Sequence, residues 1–279
     1  MLNTKIKESQ EIFLDERSVN LREQIIKSVI SAGRGHIGGA FSSLEILRVL
    51  YDDILNYDPK DPRLINRDRF ILSKGHSCLA LYVLLAEKGF FPKSELSRCF
   101  KTGAMLGGHP ERDKIPGVEA STGSLGHGLS IGVGLALAAK IQKRSNKIYV
   151  LLGDGEINEG SVWEAAMAAS KHKLDNLIAM VDYNKVQSAG SVDSIMSMEP
   201  MLDKWTSFGF ETIEVNGHDI SELKEKLSLE RTLSKPLAII CHTVKGKGIN
   251  EAEGSPEWHY KRVDESLGEN LIKQLKDAL

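Results

Sequence analysis

The chain carries the stretch LLGDGEINEG, in which an apolar run ends on Asp154 between Gly153 and Gly155 and helix-forming residues follow. A carboxylate at the end of a buried strand is costly unless something pairs with it. Ligands of open parallel sheets gather outside the carboxyl ends of the strands. Two glycines there let the backbone turn sharply and approach a ligand closely, and the start of the following helix favours a phosphate. A carboxylate beside a phosphate repels it unless a divalent cation lies between. Mg²⁺ is held in that way, by one or two protein oxygens plus substrate phosphates. The next apolar run, LIAMVDYNKVQ, places Asn184 just past its end, 30 residues after Asp154. A strand-helix-strand unit of that length brings two strand ends side by side. The Asn184 amide oxygen and the Val186 backbone carbonyl then join Asp154 as candidate ligands of a metal held over a diphosphate.

Two other readings of the pattern stay open at this level. GDGEINEG spaces its glycines G-x-G-x-x-x-x-G, which departs from the dinucleotide fingerprint, although Asp182 can imitate the acid that binds a ribose. The segment can also be a structural turn.

The elements that must position these groups alternate between helix and strand. SVNLREQIIKSVISAG carries Leu21, Ile25, Ile26, Val29 and Ile30 at helical spacing and stops at Gly33. SSLEILRVLYDDIL predicts a second amphipathic helix, RDRFILS a strand, and HSCLALYVLLAEKGF a helix ending at Gly89. GSLGHGLSIGVGLALAAKIQKR predicts a long helix crowded with small residues, where Gly126, Gly128, Gly132 and Gly134 imply close approach by a helix or ligand. KIYVLL, NLIAMVD, FETIEVN and KPLAIICHTV read as strands. EGSVWEAAMAASKHK and DISELKEKLSLERTL read as helices. Several strands are continuously apolar, as when helices cover both faces of a parallel sheet. The expected fold is therefore α/β, a mostly parallel central sheet with helices on both faces, in a single domain spanning 1–279. Residues 90–120, rich in Gly and Pro, form the longest irregular stretch, and loops of that length are usually functional.

Composition removes several classes. A net charge of −2 over 279 residues leaves no electrostatic footprint for nucleic acid or an anionic membrane. No run approaches the roughly 18 apolar residues of a membrane span, and the start, MLNTKIKESQEIF, lacks the apolar core of a signal peptide. Cys78, Cys99 and Cys241 are scattered without a CxxC, so free thiols in a reducing, cytoplasmic setting are expected.

GDGEINEG followed by DYNKVQ resembles the thiamine diphosphate motif, and four further segments are similar to transketolases in particular: GRGHIGG, RDRFILSKGHSCLALY, GGHPE with STGSLGHGLSIGVGLALA, and HTVKGKGI with WHY. They fall in the family's order and cover about residues 15 to 265. The resemblance extends only to the family's N-terminal, diphosphate-binding domain. It implies the N-terminal subunit of a split transketolase, whose C-terminal, pyrimidine-binding subunit is a separate chain, in a heterotetramer of two copies of each. The implied cofactors are thiamine diphosphate and Mg²⁺ (or Ca²⁺ or Mn²⁺). The implied reaction moves a two-carbon ketol unit from a ketose, phosphorylated or similar, to an aldose.

The resemblance also implies roles. Asp154, Asn184 and the Val186 carbonyl match the metal ligands. Gly153, Gly155 and Glu156 belong to the diphosphate turn, and Gly123, Ser124 and Leu125 to a loop touching the thiazolium and aminopyrimidine. Lys74 and Lys245 match lysines near the diphosphate or substrate, in place of ordinary solvated charges. His36, His76, His109 and His259 match an active-site cluster, with His76 also near the cofactor. Imidazoles suit a reaction that creates an oxyanion and removes a hydroxyl proton. Glu159 matches a glutamate of a proton network at a subunit interface, or else complements a helix dipole. Glu164, like Glu156 outside its motif, reads as surface or helix packing, and Trp163 with AAMAAS as core or interface. His127, His172, His218 and His242 match no catalytic position. Arg34 and Ile37 stand beside His36 where relatives have other residues, and Tyr260 follows His259 where a small residue is common. Arg34 suits an anionic substrate group or is a solvated loop residue, which leaves the natural sugar open. Rival implications are a 1-deoxyxylulose-phosphate synthase-like or 2-oxo acid dehydrogenase-like component, a non-catalytic subunit that binds the cofactor and, from the pattern alone, a nicotinamide dehydrogenase.

Overall fold

The computed structural model describes residues 13–229 and 234–279. Helix α1 (Glu16–Ala32) starts where the Asp15 carboxylate accepts from the Ser18 N–H at 2.8 Å, and it ends at Gly33, whose φ of 78° only glycine adopts freely. Its apolar face, Leu21, Ile25, Ile26 and Val29, is fully buried. The chain continues through β1 (Arg34–Gly35), α2 (Ile37–Ser42), α3 (Leu44–Val49), β2 (Arg69–Leu72), α4 (Cys78–Glu87), α5 (Gly128–Ile141), β3 (Ile148–Gly153), α6 (Gly160–Lys171) and β4 (Leu177–Tyr183). It closes with α7 (Val192–Met196), α8 (Met201–Ser207), β5 (Glu211–Asn216), α9 (Ile220–Ser228), β6 (Leu237–His242), β7 (Lys261–Arg262) and α10 (Glu265–Asp277).

Five strands form one parallel sheet in the order β2-β3-β4-β6-β5, and β1 pairs antiparallel with β7 outside it. Alternation along the strands divides the core in two. Leu72, Tyr149, Leu151, Ile178, Met180, Ile239 and Cys241 pack with α1 to α4, α9 and α10. Ile71, Ile148, Val150, Leu152, Ala179, Val181 and Ile240 pack with α5, α6 and α8. Both faces are covered, which is why the strands read as unbroken apolar runs.

After β2 the chain leaves toward α4 on one face, and after β3 toward α6 on the other. A crevice therefore opens at the carboxyl ends of these neighbours, the usual location of a ligand in such a sheet. The register aligns Gly153 with Asp182, and Asp182 with Cys241. The residues that follow each strand thus meet along one edge.

Several predicted elements are trimmed or divided. The helix expected over SSLEILRVLYDDIL is α3 continued by a π-helical turn, Leu50–Ile54, and α2 precedes it inside the glycine-rich stretch. The helix expected from Gly123 begins at Gly128, because residues 123–127 form a loop in which Gly123 and Gly126 have φ of 152° and 80°. Residues 90–120 contain only the 3₁₀ helix Lys93–Arg98 and turns. The end of the helix expected over DISELKEKLSLERTL, residues 230–233, lies outside the described residues, as does most of MLNTKIKESQEIF. The three cysteines are buried and free.

Candidate active site

Asp154 follows the last residue of β3 and is 3% exposed. Its two oxygens accept the N–H groups of Gly155, at 2.7 Å, and of Lys185. Burial and the neighbouring Asp182 push its pKa up to about 7. An added positive charge at that point would oppose the rise and favour the ionised carboxylate. Asn184 lies two residues beyond Asp182, with its amide nitrogen 3.2 Å from the Asp182 carboxylate and its amide oxygen accepting from the Val186 N–H at 3.1 Å. The Val186 carbonyl accepts from the Lys245 ammonium at 2.9 Å. Asp154, Asn184 and Val186 thus all lie on the segments that follow two paired strands, with the Lys185 N–H linking the second segment to Asp154.

Asp182, considered from the sequence only as a ribose-binding acid, is the hub of this edge. Fully buried, it takes the Lys74 ammonium, the Thr243 hydroxyl and the Ser42 hydroxyl, the last at 2.6 Å. Burial alone would raise its carboxyl. Lys74 and the hydroxyls outweigh burial and hold it below the usual carboxylate value. Lys74 is thus no solvated surface charge: it is buried and neutralised within the protein. Lys245 is buried too. Its ammonium also contacts the Gln187 carbonyl and the His259 ring nitrogen, both at 3.1 Å, and burial with the Lys74 charge lowers its pKa to about 8.

Glu156 corrects one expectation: it is neither at the surface nor on a helix-packing face. It is 2% exposed and accepts from the Ser73 hydroxyl and from the N–H groups of Gly126 and Gly153, both at 2.9 Å. Burial pushes its pKa up against these bonds. Its carboxylate ties the loop after β2, the 123–127 loop and the end of β3 to one point. A buried acid with three donors is invisible to spacing arguments because its partners come from distant segments.

His36, His76 and His259 form a triangle with ring centres 5.2 Å apart on every side. Burial, followed by neighbouring cations and histidines, lowers His36 and His259 to about 4 and His76 well below its ordinary value. The three rings are therefore neutral near pH 7. The His109 ring lies against Gly123, where a methyl group would lie 3.2 Å from the imidazole, and it is near enough to His36 to help lower that ring's pKa. His109, Gly123, Ser124 and His127 line a cavity of about 550 Å³. Leu125 and Glu159 are exposed beside it, and a methyl group on Gly126 would lie 2.6 Å from the Glu159 Cβ.

His218, which matched no catalytic position, belongs to a buried network. The Arg22 guanidinium holds Glu45 at 2.6 and 2.9 Å and the Lys247 carbonyl at 2.9 Å. His218 Nδ1 lies 2.8 Å from Glu45, and its Nε2 accepts from the Val244 N–H at 2.9 Å, so Nδ1 bears the proton. The network fixes the VKGK turn that delivers Lys245. His172 is exposed at the end of α6, and His242 pairs with Glu214 at 3.1 Å. Glu164 is exposed, as expected. Ala165, Ala166 and Ala169 are core, and Trp163 packs on Trp205 and Phe208.

The residues fit a metal-bound diphosphate. One carboxylate, an amide and a carbonyl form a hard oxygen set, which leaves the other positions of an octahedron to phosphate oxygens and water. Among the described residues no group of three or more His, Cys, Asp or Glu is arranged to hold a metal by side chains alone. Gly155 approaches the Gln187 side chain so closely that a methyl group there would lie 2.8 Å from it. The buried hydroxyls of Ser77 and Thr122, on the loops around the site, have no hydrogen-bond partner among the described residues.

Residues 15–279 match the family model described as transketolase, thiamine diphosphate binding domain. An apulose-4-phosphate transketolase subunit of Phocaeicola vulgatus is 42% identical over 267 residues, covering 95% of each chain. The 6-deoxy-6-sulfo-D-fructose transketolase subunit SqwG of a Clostridium species is 38% identical over 268 residues, covering 96% of this chain and 98% of that one. The transketolase structure from Leishmania mexicana superposes with a TM-score of 0.86 at 30% identity, covering 95% of this chain and 41% of that chain. A fold, a carboxyl-edge site and relatives that agree on one reaction leave the dinucleotide reading without support: the chain belongs to the transketolase family, as a subunit that carries the thiamine diphosphate binding domain and serves ketol transfer.

Proposed function

We propose that this chain provides the Mg²⁺ and diphosphate half of a split transketolase, and that a separate C-terminal subunit completes the site by binding the cofactor's pyrimidine. The observation that carries this reading is the Lys245 ammonium, which touches both the Val186 carbonyl and His259 and so links the segment after β4 to the His36–His76–His259 triangle. Asp154, Asn184 and the Val186 carbonyl would hold the ion. Gly153 and Gly155 would admit the diphosphate, with Glu156 bracing their turn, and the 123–125 loop would take the thiazolium. When bound, thiamine diphosphate supplies the carbon nucleophile and the electron sink for breaking the donor's carbon–carbon bond.

The remaining chemistry falls to this chain's side chains. The neutral rings of His36, His76 and His259 accept a hydroxyl proton and hydrogen-bond the developing oxyanion. His109, beside the 123–124 loop, orients the sugar. The Lys245 ammonium sets a positive charge beside His259, and Glu159 serves the contact between subunits.

The substrates are a ketose donor and an aldose acceptor bearing an anionic end. This reading is supported by the names of the two split relatives, one a sugar phosphate and one a sulfonated sugar. Two copies of each subunit form the assembly, supported by exposed apolar residues on α5 and α6, namely Ile131, Ile141 and Met167. No described helix is long and apolar enough to cross a membrane, and the free buried thiols suit the cytoplasm.

Co-purification with the C-terminal subunit, followed by calorimetry of thiamine diphosphate with and without Mg²⁺ and a screen of ketose donors, tests the proposal. Metal-dependent cofactor binding together with ketol transfer is expected. Binding indifferent to Mg²⁺, or no transfer from any ketose, contradicts it.

A further inference from the structure

The ribbon of β1 and β7 places a second group of side chains on the face that carries His36. Its register sets Arg34 opposite Arg262 and Gly35 opposite Lys261. One more step along both strands sets His36 opposite Tyr260. Alternation then puts Arg34, His36, Arg262 and Tyr260 on one face. The contacts agree: the Tyr260 ring centre is 4.6 Å from that of His36, and the Arg34 guanidinium lies 6.0 Å from the Tyr260 ring centre. On the other face Gly35 is buried against Val29 and Leu79, and the Lys261 ammonium lies 5.1 Å from the Trp258 ring centre. Those contacts secure the ribbon without help from the arginines.

Like charges directly opposite each other weaken an antiparallel pair. Arg34 and Arg262 are such a pair, both are exposed, and no carboxylate among the described residues pairs with either. Each guanidinium offers five N–H donors in a planar fork suited to a tetrahedral oxyanion. Stacking on Tyr260 limits the freedom of Arg34, so less is lost when it grips a ligand. The steps of 4.6 and 6.0 Å from His36 through Tyr260 to the guanidinium match the scale of an extended five- or six-carbon sugar. Its reacting end would lie at the histidines and its charged end at the arginines.

We propose that Arg34 and Arg262, aligned by Tyr260, form the subsite for the terminal phosphate or sulfonate of the sugar, so that specificity for an anionic end resides partly on this chain. The inference rests on the ketol-transfer reading and names residues that select its substrates.

The test uses the assembled two-subunit enzyme saturated with thiamine diphosphate and Mg²⁺. With hydroxypyruvate as a fixed donor, kcat/KM is compared for ribose 5-phosphate and ribose as acceptors. In Arg34→Ala and in Arg262→Ala the ratio of the two falls about ten- to a hundredfold, as expected for lost charge-assisted hydrogen bonds, and the fall is carried by KM. Arg34→Lys, which keeps the charge but not the fork, recovers part of it. Fructose 6-phosphate and 6-deoxy-6-sulfofructose as donors show which oxyanion the pair prefers. Calorimetry of ribose 5-phosphate without donor gives a readout independent of turnover, and its affinity falls in parallel. If the wild-type complex transfers nothing yet this binding still depends on the arginines, the ketol-transfer reading fails and the subsite stands. If transfer proceeds and neither the ratio nor the binding responds in either variant, the subsite is refuted.

Discussion

Asp154 and Asp182 stand at the ends of adjacent strands and are driven in opposite directions, the first up to about 7 by burial and its neighbour's charge, the second down because Lys74 outweighs burial. Asp154→Ala should abolish metal-dependent binding of thiamine diphosphate in calorimetry. Asp182→Asn acts one step removed, since Asp182 orients Asn184. Cofactor affinity should fall about ten- to a hundredfold. The unpaired Lys74 ammonium should also cost about 3–5 kcal/mol in urea unfolding. A variant as stable as wild type would remove Asp182 from its position as hub. The histidines predict an acid response. His36 and His259 titrate near 4 in the folded protein against an ordinary value of 6.5. Between those values the unfolded chain takes up protons that the native state refuses. Stability present above pH 6.5 therefore declines as pH falls and is lost by about pH 4. The double variant His36→Gln, His259→Gln should show a flatter decline of its urea midpoint from pH 7 to pH 5. Asp154 is shifted the opposite way but is common to both proteins, so it drops out of the comparison.

At the scale of elements, loops from distant segments are tied together by buried acids. Glu156 receives Ser73, Gly126 and Gly153, and Glu45 receives Arg22 and His218. Glu156→Gln turns an amide donor toward N–H groups that need an acceptor. It should cost about 1–3 kcal/mol by chemical denaturation and weaken cofactor binding through the 123–127 loop. Arg22→Ala leaves Glu45 buried without its cation and should cost about 3–5 kcal/mol. Arg22→Met with Glu45→Leu should cost less than the sum of the single losses. Additive losses would show that the two residues act separately. The sequence marked the strand ends and most of the helices correctly. It did not mark the start of α5, because a helix-like run of small residues gives no sign that Gly123 and Gly126 adopt left-handed backbone for a site loop. Nor did it reveal Glu156, whose partners lie 3, 30 and 83 residues away.

For the whole molecule, the exposed apolar residues Ile131, Ile141 and Met167 lie on α5 and α6, helices that pack on each other over the second core. Light scattering of the two-subunit complex should give two copies of each chain. Ile141→Glu together with Met167→Glu should lower that mass and reduce transfer, whereas an unchanged mass would move the interface elsewhere. The pure chain should bind cofactor weakly and transfer nothing, and added partner subunit should restore turnover.

Residue type and order alone gave the parallel α/β architecture and made Asp154 and Asn184 a candidate pair, because apolar periodicity and a charged residue at a strand end are local facts that folding must accommodate; the four histidines were drawn from the resemblance to transketolases. Which groups share a site was decided only in three dimensions. His36, His76 and His259 meet in one triangle, Lys74 is paired with Asp182, and Arg34 faces Arg262 across a two-residue ribbon. Long-range strand order, register and burial set those distances, and a carboxylate or guanidinium acquires its working character only from the neighbours that the fold brings within a few ångströms.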